Sequence, residues 1–138
     1  MGKKKVRILM KTLHRIQGQQ ERASYEYTGY LLPGDGVFYL TYTEQTETSK
    51  QRTLITYSPC SVAVKRAGEL SLRMLFSPEE TTDALYEMAA GKLAMEIQTS
   101  YLAVETGKNP HHIRLEYQLF SGGAGIGEYQ MELEIDPL

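Results

Sequence analysis

Residues 129–135 read YQMELEI, with an apolar side chain at every second position. This period of two is typical of a β-strand that has one buried face and one face in water. Residues 6–11, VRILMK, alternate in the same way near the other end of the chain. The charged residues between the apolar ones are basic in residues 6–11 and acidic in residues 129–135. Antiparallel pairing would therefore place the charges outside, and would bring Val6, Ile8 and Met10 against Met131, Leu133 and Ile135 inside.

The same alternation predicts ten strands along the chain. They are expected at residues 6–16, 22–32, 37–43, 52–58, 61–66, 70–76, 84–90, 93–104, 112–120 and 127–135. Turns rich in glycine and proline separate them, and such short connections favour antiparallel neighbours, because parallel pairs need long crossovers. Closing the sheet removes two exposed edges. The predicted fold is all-β, an antiparallel up-and-down closed β-barrel of about 8–10 strands, with residues 1–138 as one domain and residues 1–5 frayed.

Residues 77–92 leave two interpretations open. Ser77-Pro78-Glu79-Glu80 has the composition of a helix start, and Leu85 and Met88 follow at helical spacing. The alternation of Tyr86 with its neighbours favours instead a hairpin that turns at Gly91. We favour the hairpin, and a helical turn near Pro78 stays open.

Composition and charge exclude several classes of protein. With 41% hydrophobic and 23% charged residues the chain is neither disordered nor fibrous, and it has no apolar run long enough to span a membrane. Arg7 and Lys11 interrupt any signal-peptide core, so we expect a cytoplasmic protein. Basic residues cluster in residues 1–22, with seven Lys/Arg against one Asp/Glu, whereas the rest of the chain carries eight against sixteen. That acidic body argues against a nucleic-acid partner.

Ten tyrosines fall on predicted strands, and several could line a cavity. The candidates are Tyr25, Tyr27, Tyr42, Tyr86 and Tyr117, whose rings and hydroxyls could orient a ligand. Tyrosine also suits a half-buried pleated surface, and these patterns do not assign each strand face to the inside or the outside.

Three charged residues complete the predicted ligand-binding set of Tyr42, Glu44, Arg66, Arg73, Tyr86 and Tyr117. An arginine inside a barrel would suit a carboxylate or phosphate group, because its planar fork binds two oxygens. The alternative places Glu44, Arg66 and Arg73 on the outer face or at a rim, and the turn next to Arg66 favours that alternative there.

The sequence gives little support for a metal site or a catalytic site. His111 and His112 are adjacent on a strand and should point to opposite faces, on a wet hairpin shoulder. Cys60 is the chain's one cysteine, in a turn without a recognisable partner base. The glycine-rich residues 122–127 precede a strand rather than the helix a phosphate loop needs. We expect no catalytic residues, no metal and no cofactor.

A set of residues spread over the chain resembles the YwiB-like family, small bacterial proteins grouped as a domain of unknown function. The resemblance covers about residues 6 to 135 and rests on Leu40-Thr41-Tyr42-Thr43-Glu44, Arg66-Ala67-Gly68, Phe76, Tyr86, Gly91 and Thr99. It implies a calycin-like barrel, related in architecture to lipocalins and fatty-acid-binding proteins, and it implies no established activity. Two departures are the missing glycine before Thr53 and the absence of tryptophan.

Two functions remain open. The first is a non-enzymatic barrel that binds a small, partly apolar molecule in its interior, including an acidic one. The alternative is an interaction or oligomerisation module, such as a homodimer, with a filled barrel and an exposed apolar patch at Leu9, Leu13, Tyr30 and Leu32.

Overall fold

Ten antiparallel strands wind in chain order around one barrel in the computed structural model, which describes residues 2–45 and 47–138. The strands are β1 (Lys4–Ile16), β2 (Gln19–Pro33), β3 (Phe38–Gln45), β4 (Lys50–Ser58), β5 (Ser61–Ala67), β6 (Ser71–Phe76), β7 (Thr82–Met88), β8 (Gly91–Glu105), β9 (His111–Ser121) and β10 (Ala124–Pro137). Each strand pairs with its neighbours in sequence, and β1 pairs with β10. The predicted closed up-and-down barrel is confirmed.

The closing seam between β1 and β10 follows the predicted division of charge and apolar residues. Ile8 lies opposite Ile135 inside the barrel, and Lys11 lies opposite Glu132 outside. The register, which the sequence left open, places Met10 opposite Leu133 and Val6 opposite Pro137. Apolar burial therefore holds the seam, and the charges face water.

The ambiguous region after β6 forms a hairpin. β7 and β8 pair from Thr82–Ile97 to Met88–Gly91, and the turn falls at residues 89–90, just before the Gly91 expected for it. Residues 78–80 form a turn and bend without a helix. In the described part of the chain, no helix is long and apolar enough to cross a membrane.

The start of the chain is more ordered than expected. β1 begins at Lys4 because Lys4 and Lys5 pair with Leu31 and Tyr30 of β2. The expected frayed segment, residues 1–5, is therefore shorter within the described residues, and Met1 lies outside them.

The barrel interior differs between its two ends. We call the end that carries the β2–β3, β4–β5, β6–β7 and β8–β9 connections the closed end, because most of its inward side chains are buried; the fully buried ones include Val6, Tyr57, Val62, Phe76 and Ile135. We call the other end, with the remaining hairpin turns, the open end. There, inward-facing side chains stay partly exposed, and Tyr25 keeps 47% of its surface in water.

Candidate functional site

An ion pair lies inside the barrel towards the open end. Arg66 of β5 faces inward, in the register position opposite Thr53 and Leu72. Its guanidinium Nη2 donates to Oε1 of Glu44 at 2.7 Å, and 27% and 29% of the two side chains remain exposed. The pair is therefore partly sheltered, and a molecule entering the interior could reach it.

Two groups of stacked aromatic rings belong to different walls of the interior. On β2 and β3, Tyr27 stacks on Tyr42 at 4.5 Å between ring centroids, and Tyr25 stacks on Tyr27 at 6.1 Å. On β9 and β10, Tyr117 stacks on Tyr129 at 5.2 Å. The pairing of β2 with β1 and of β1 with β10 separates the two groups by one strand. These rings give the open end a largely aromatic lining.

The ion pair and the tyrosines form one neighbourhood, which we call the interior polar cluster: Tyr27, Tyr42, Glu44, Arg66, Tyr86, Tyr117 and Tyr129. Burial raises the pKa of the Tyr86 phenol, and the positive charge of Arg66 opposes that rise. Burial, and then the negative charge of Glu44, raise the pKa of Tyr27. The same burial effect raises the pKa of Tyr42, Tyr117 and Tyr129. At neutral pH these phenols are uncharged hydrogen-bonding groups.

Four buried polar atoms near or within this cluster have no hydrogen-bond partner among the described residues. They are Nε of Arg66, Oε1 of Gln51, Oγ1 of Thr53 and Oγ1 of Thr99. Buried polar groups in native proteins are nearly always paired, because leaving one unpaired costs about 1–3 kcal/mol. Such unpaired groups could form hydrogen bonds with a molecule bound beside the ion pair.

Five of the six predicted ligand-binding residues face the interior, namely Tyr42, Glu44, Arg66, Tyr86 and Tyr117. Arg73 does not, and its place in the predicted set is corrected. It lies opposite Lys65 and Leu85 on the outer face of β6, where it is exposed. Its neighbours Leu72 and Met74 are buried, so the strand period turns Arg73 outward.

The alternative placement of Arg66 at a solvated rim does not describe its geometry. In β5, Val62, Val64 and Arg66 occupy alternate positions, and the pattern that buries the valines also turns Arg66 inward. Tyr129 was missed as a lining residue, although it shares the alternation of Met131 and Leu133. Thr99 follows the alternation of Met95 and Ile97 and belongs to the family resemblance, and Gln51 follows the alternation of Thr53 and Ile55, but neither was included in the predicted set.

The two adjacent histidines point to opposite faces, as predicted, but only His112 is exposed. His111 is buried at the closed end, where its Nδ1 lies 2.9 Å from the hydroxyl of Tyr57. The expected wet shoulder is therefore wrong for His111, because Phe38 and Tyr57 pack against its ring. Burial, and then the positive charge of Lys4, lower the pKa of His111. Within the described residues, no three His, Cys, Asp or Glu side chains are grouped to hold a metal.

The outer face carries a shallow groove over β1, β8, β9 and β10. It encloses about 460 Å³, and its lining includes Leu9, Tyr101 and Arg114 among charged side chains. Arg114 lies over the ring of Tyr101 at 5.8 Å and contacts Glu132 at 3.7 Å. The groove is lined mainly by charged side chains and lacks the stacked aromatic rings of the interior.

Comparison with known proteins agrees with the fold. A crystal structure of the YwiB protein from Bacillus subtilis superimposes with a TM-score of 0.87 at 21% identity, over 99% of this chain and 93% of that one. The uncharacterized beta-barrel protein YwiB of Bacillus subtilis (strain 168) is 24% identical over 117 residues, which are 85% of this chain and 82% of the relative. The model of the Domain of unknown function (DUF1934) family matches residues 8–133. The resemblance seen in the sequence is thereby confirmed, and the chain belongs to this DUF1934 family of β-barrel proteins.

Proposed function

We propose that the barrel binds a small, partly apolar molecule through its open end, without changing it chemically. The observation that carries this proposal is the interior polar cluster. Its tyrosine rings face inward; Tyr42 is buried and the other four are partly exposed, and they share the interior with the Arg66–Glu44 pair. Ligand sites in proteins typically combine a mostly apolar lining with a few convergent polar groups.

The chemistry of the cluster supports binding over catalysis. A general base or nucleophile needs a pKa near or below the working pH, whereas burial raises the pKa of these tyrosines. Glu44 is held in its ion pair with Arg66 and is not free to act as a base. Neutral phenols and a paired guanidinium can orient a ligand and stack on it, which is what a binding protein requires.

The proposal keeps three expectations that rest on the sequence. The barrel is calycin-like, in the sense of an up-and-down barrel with a ligand site inside. Its location is the cytoplasm, whose reducing conditions suit the free, exposed thiol of Cys60. Its partner is a small molecule, with no nucleic acid and no membrane involved.

The runner-up function, a protein-interaction or homodimerisation module, has one observation in its favour. Tyr30 and Leu32 of β2 are exposed on the outer face, and Tyr39 of β3 lies opposite Leu32. Of the other expected patch residues, Leu9 is half-buried and Leu13 is buried. The outer apolar patch is therefore narrower than expected, and we rank this function second.

A matched pair of variants tests the proposal. Val64 faces the interior one alternate position from Arg66, and Ala63 faces outward on the same strand. Val64→Phe adds a ring to the interior, and Ala63→Phe adds the same ring to the outer face. Circular dichroism and thermal melting first check that both variants remain folded.

Native mass spectrometry then compares the variants with the unchanged protein, each purified gently from cells. We expect a retained molecule of less than about 1,000 Da on the unchanged protein and on Ala63→Phe, and its loss from Val64→Phe, because a binding site of this kind holds one small ligand. A ligand-free dimer would overturn the proposal in favour of the interaction module. Equal retention by a folded Val64→Phe would show that the molecule binds elsewhere.

A further inference from the structure

We infer that the ligand of this interior is an uncharged, flat ring compound that carries an amide-like edge, with a carbonyl oxygen beside an N–H group. The inference rests on the proposed function and names the ligand class that the same site would take. Three features of the described residues carry it: the balance of charge, the unpaired donor and acceptor, and the stacked rings.

The charge balance of the cluster favours a neutral ligand. Nη2 of Arg66 already contacts Glu44 at 2.7 Å, so the guanidinium is neutralised before any ligand arrives. An anionic ligand that approached Arg66 would also approach the carboxylate of Glu44, and a cationic ligand at Glu44 would meet Arg66. A ligand of either charge would lose its hydration, and the attraction it gained from one side chain of the pair would be partly cancelled by repulsion from the other. The acidic ligand that a lone arginine suggests is therefore disfavoured.

The unpaired atoms define what the polar edge must offer. Nε of Arg66 is a buried donor without a partner among the described residues, and Oε1 of Gln51 is a buried acceptor in the same condition. Gln51 lies opposite Glu44 in the β3–β4 register, and Thr53, two residues later on the same face, lies opposite Arg66. Donor and acceptor thus flank the same ion pair. The carbonyl oxygen of such an edge would accept from Nε of Arg66, and its N–H would donate to Oε1 of Gln51.

The rings define the rest of the molecule. Tyr25, Tyr27 and Tyr42 are stacked within 19° of parallel along one wall, and the end of this stack at Tyr25 is largely exposed. A flat aromatic molecule beside the ion pair can pack against the inward rings of this wall, whereas a puckered aliphatic ring makes fewer face contacts. Flatness and aromaticity are therefore part of the expected ligand class.

Four small probes of matched size separate these requirements. Benzamide is flat and neutral, with a carbonyl beside an NH₂ group, while benzoate and benzamidinium have nearly the same shape with a negative and a positive charge. Cyclohexanecarboxamide keeps the amide and loses the aromatic ring. Titration of the unchanged protein with each probe, followed by the backbone amide NMR signals of the barrel, gives four dissociation constants.

We expect benzamide to bind at least about tenfold more tightly than either charged probe, which corresponds to about 1.4 kcal/mol. Cyclohexanecarboxamide should bind more weakly than benzamide. The affected signals should come from inward positions of the open end. This ranking needs no variant, so a folding defect cannot obscure it.

Arg66→Lys tests the hydrogen bond from Nε directly. Lysine keeps a positive charge to pair with Glu44 but has no Nε–H donor at that position. Benzamide affinity should fall about tenfold, the usual loss for one hydrogen bond to a charged group. Arg73→Lys makes the same change on the outer face of the neighbouring strand and should leave the affinity unchanged.

The outcomes separate the ligand class from the function. Tightest binding by benzoate, benzamidinium or cyclohexanecarboxamide at the open end would overturn the inferred class while supporting an interior binding site. Equal loss of benzamide affinity in Arg66→Lys and Arg73→Lys would overturn the role of Nε. Failure of every probe to shift inward signals would overturn the inferred class, and the proposed function would then depend on the retained molecule sought by mass spectrometry.

Discussion

Removing the hydroxyl of Tyr57 should destabilise the barrel by about 2 kcal/mol. The hydroxyl lies 2.9 Å from Nδ1 of His111, and the two residues are 0% and 7% exposed, so water cannot readily replace the lost partner. Tyr57→Phe keeps the ring and its stacking on Phe38, whose centroid is 5.4 Å away, and so creates no large cavity. The remaining cost is that of an unpaired buried nitrogen, about 1–3 kcal/mol.

Urea unfolding followed by far-ultraviolet circular dichroism measures this cost as a lower midpoint at an unchanged slope. Thermal melting should show a decrease of roughly 8 °C, at about 4 °C per kcal/mol for a domain of this size. Tyr39→Phe is the control, because Tyr39 faces outward on β3 and is exposed; its change should stay within about 0.5 kcal/mol. Equal small effects of the two changes would refute a dry, hydrogen-bonded closed end.

The remaining predictions concern pH, backbone packing and surface charge. Because the pKa of His111 is lowered in the folded protein, the unfolded chain takes up the proton first, so stability should fall as the pH drops below about 6.5. His111→Gln should make the melting temperature less sensitive to pH between 7 and 5, and an unchanged sensitivity would contradict a buried neutral imidazole. Gly29→Ala should cost several kcal/mol in urea unfolding, because the added Cβ would lie 2.2 Å from the carbonyl oxygen of Thr41. A cost below about 1 kcal/mol would show that the β2 and β3 backbones can separate there. Arg15→Ala removes an exposed ion pair to Glu128 at 3.8 Å and should change stability by less than about 1 kcal/mol, an effect that salt reduces further.

Strand alternation was sufficient to predict the barrel because its signal is local. Residues 129–135 and 6–11 show which faces are apolar, and opposite charges indicate that they pair. The patterns did not assign the exact register of that seam, because a shift of two keeps every side chain on its own face. The residues Ser77-Pro78 are typical of a helix start, but no helix forms there. β7 and β8 pair as a hairpin instead, and this pairing buries Ala84 and Ile97.

The site was predicted in part, and the same periodicity explains the success and the error. Arg66 continues the alternation of Val62 and Val64, whereas Arg73 lies between Leu72 and Met74. The position of each arginine in its strand's alternation is therefore enough to distinguish the inward arginine from the outward one. If the same alternation had been followed along every strand, Arg73 would have been left out of the predicted set and Tyr129 would have been included.

Contacts between distant strands were beyond the sequence patterns. The hydrogen bond between Tyr57 and His111 joins residues 54 positions apart, and the ion pair of Glu44 with Arg66 crosses from β3 to β5. No local period indicates which side chains meet across a barrel. The unpaired atoms of Gln51 and Thr99 likewise follow from three-dimensional packing and have no counterpart in a residue pattern.

Fluorine NMR of the protein labelled with 3-fluorotyrosine tests most directly whether the open end is a binding site. The chain has ten tyrosines and no tryptophan, and Tyr30, Tyr39 and Tyr101 face outward as internal references. Ligand-stripped protein is mixed with the small-molecule fraction of a bacterial lysate. An interior site predicts shifts for the tyrosines at the open end, which are Tyr25, Tyr27, Tyr42, Tyr86, Tyr117 and Tyr129. Shifts confined to the three outward tyrosines, or unchanged signals throughout, would contradict it.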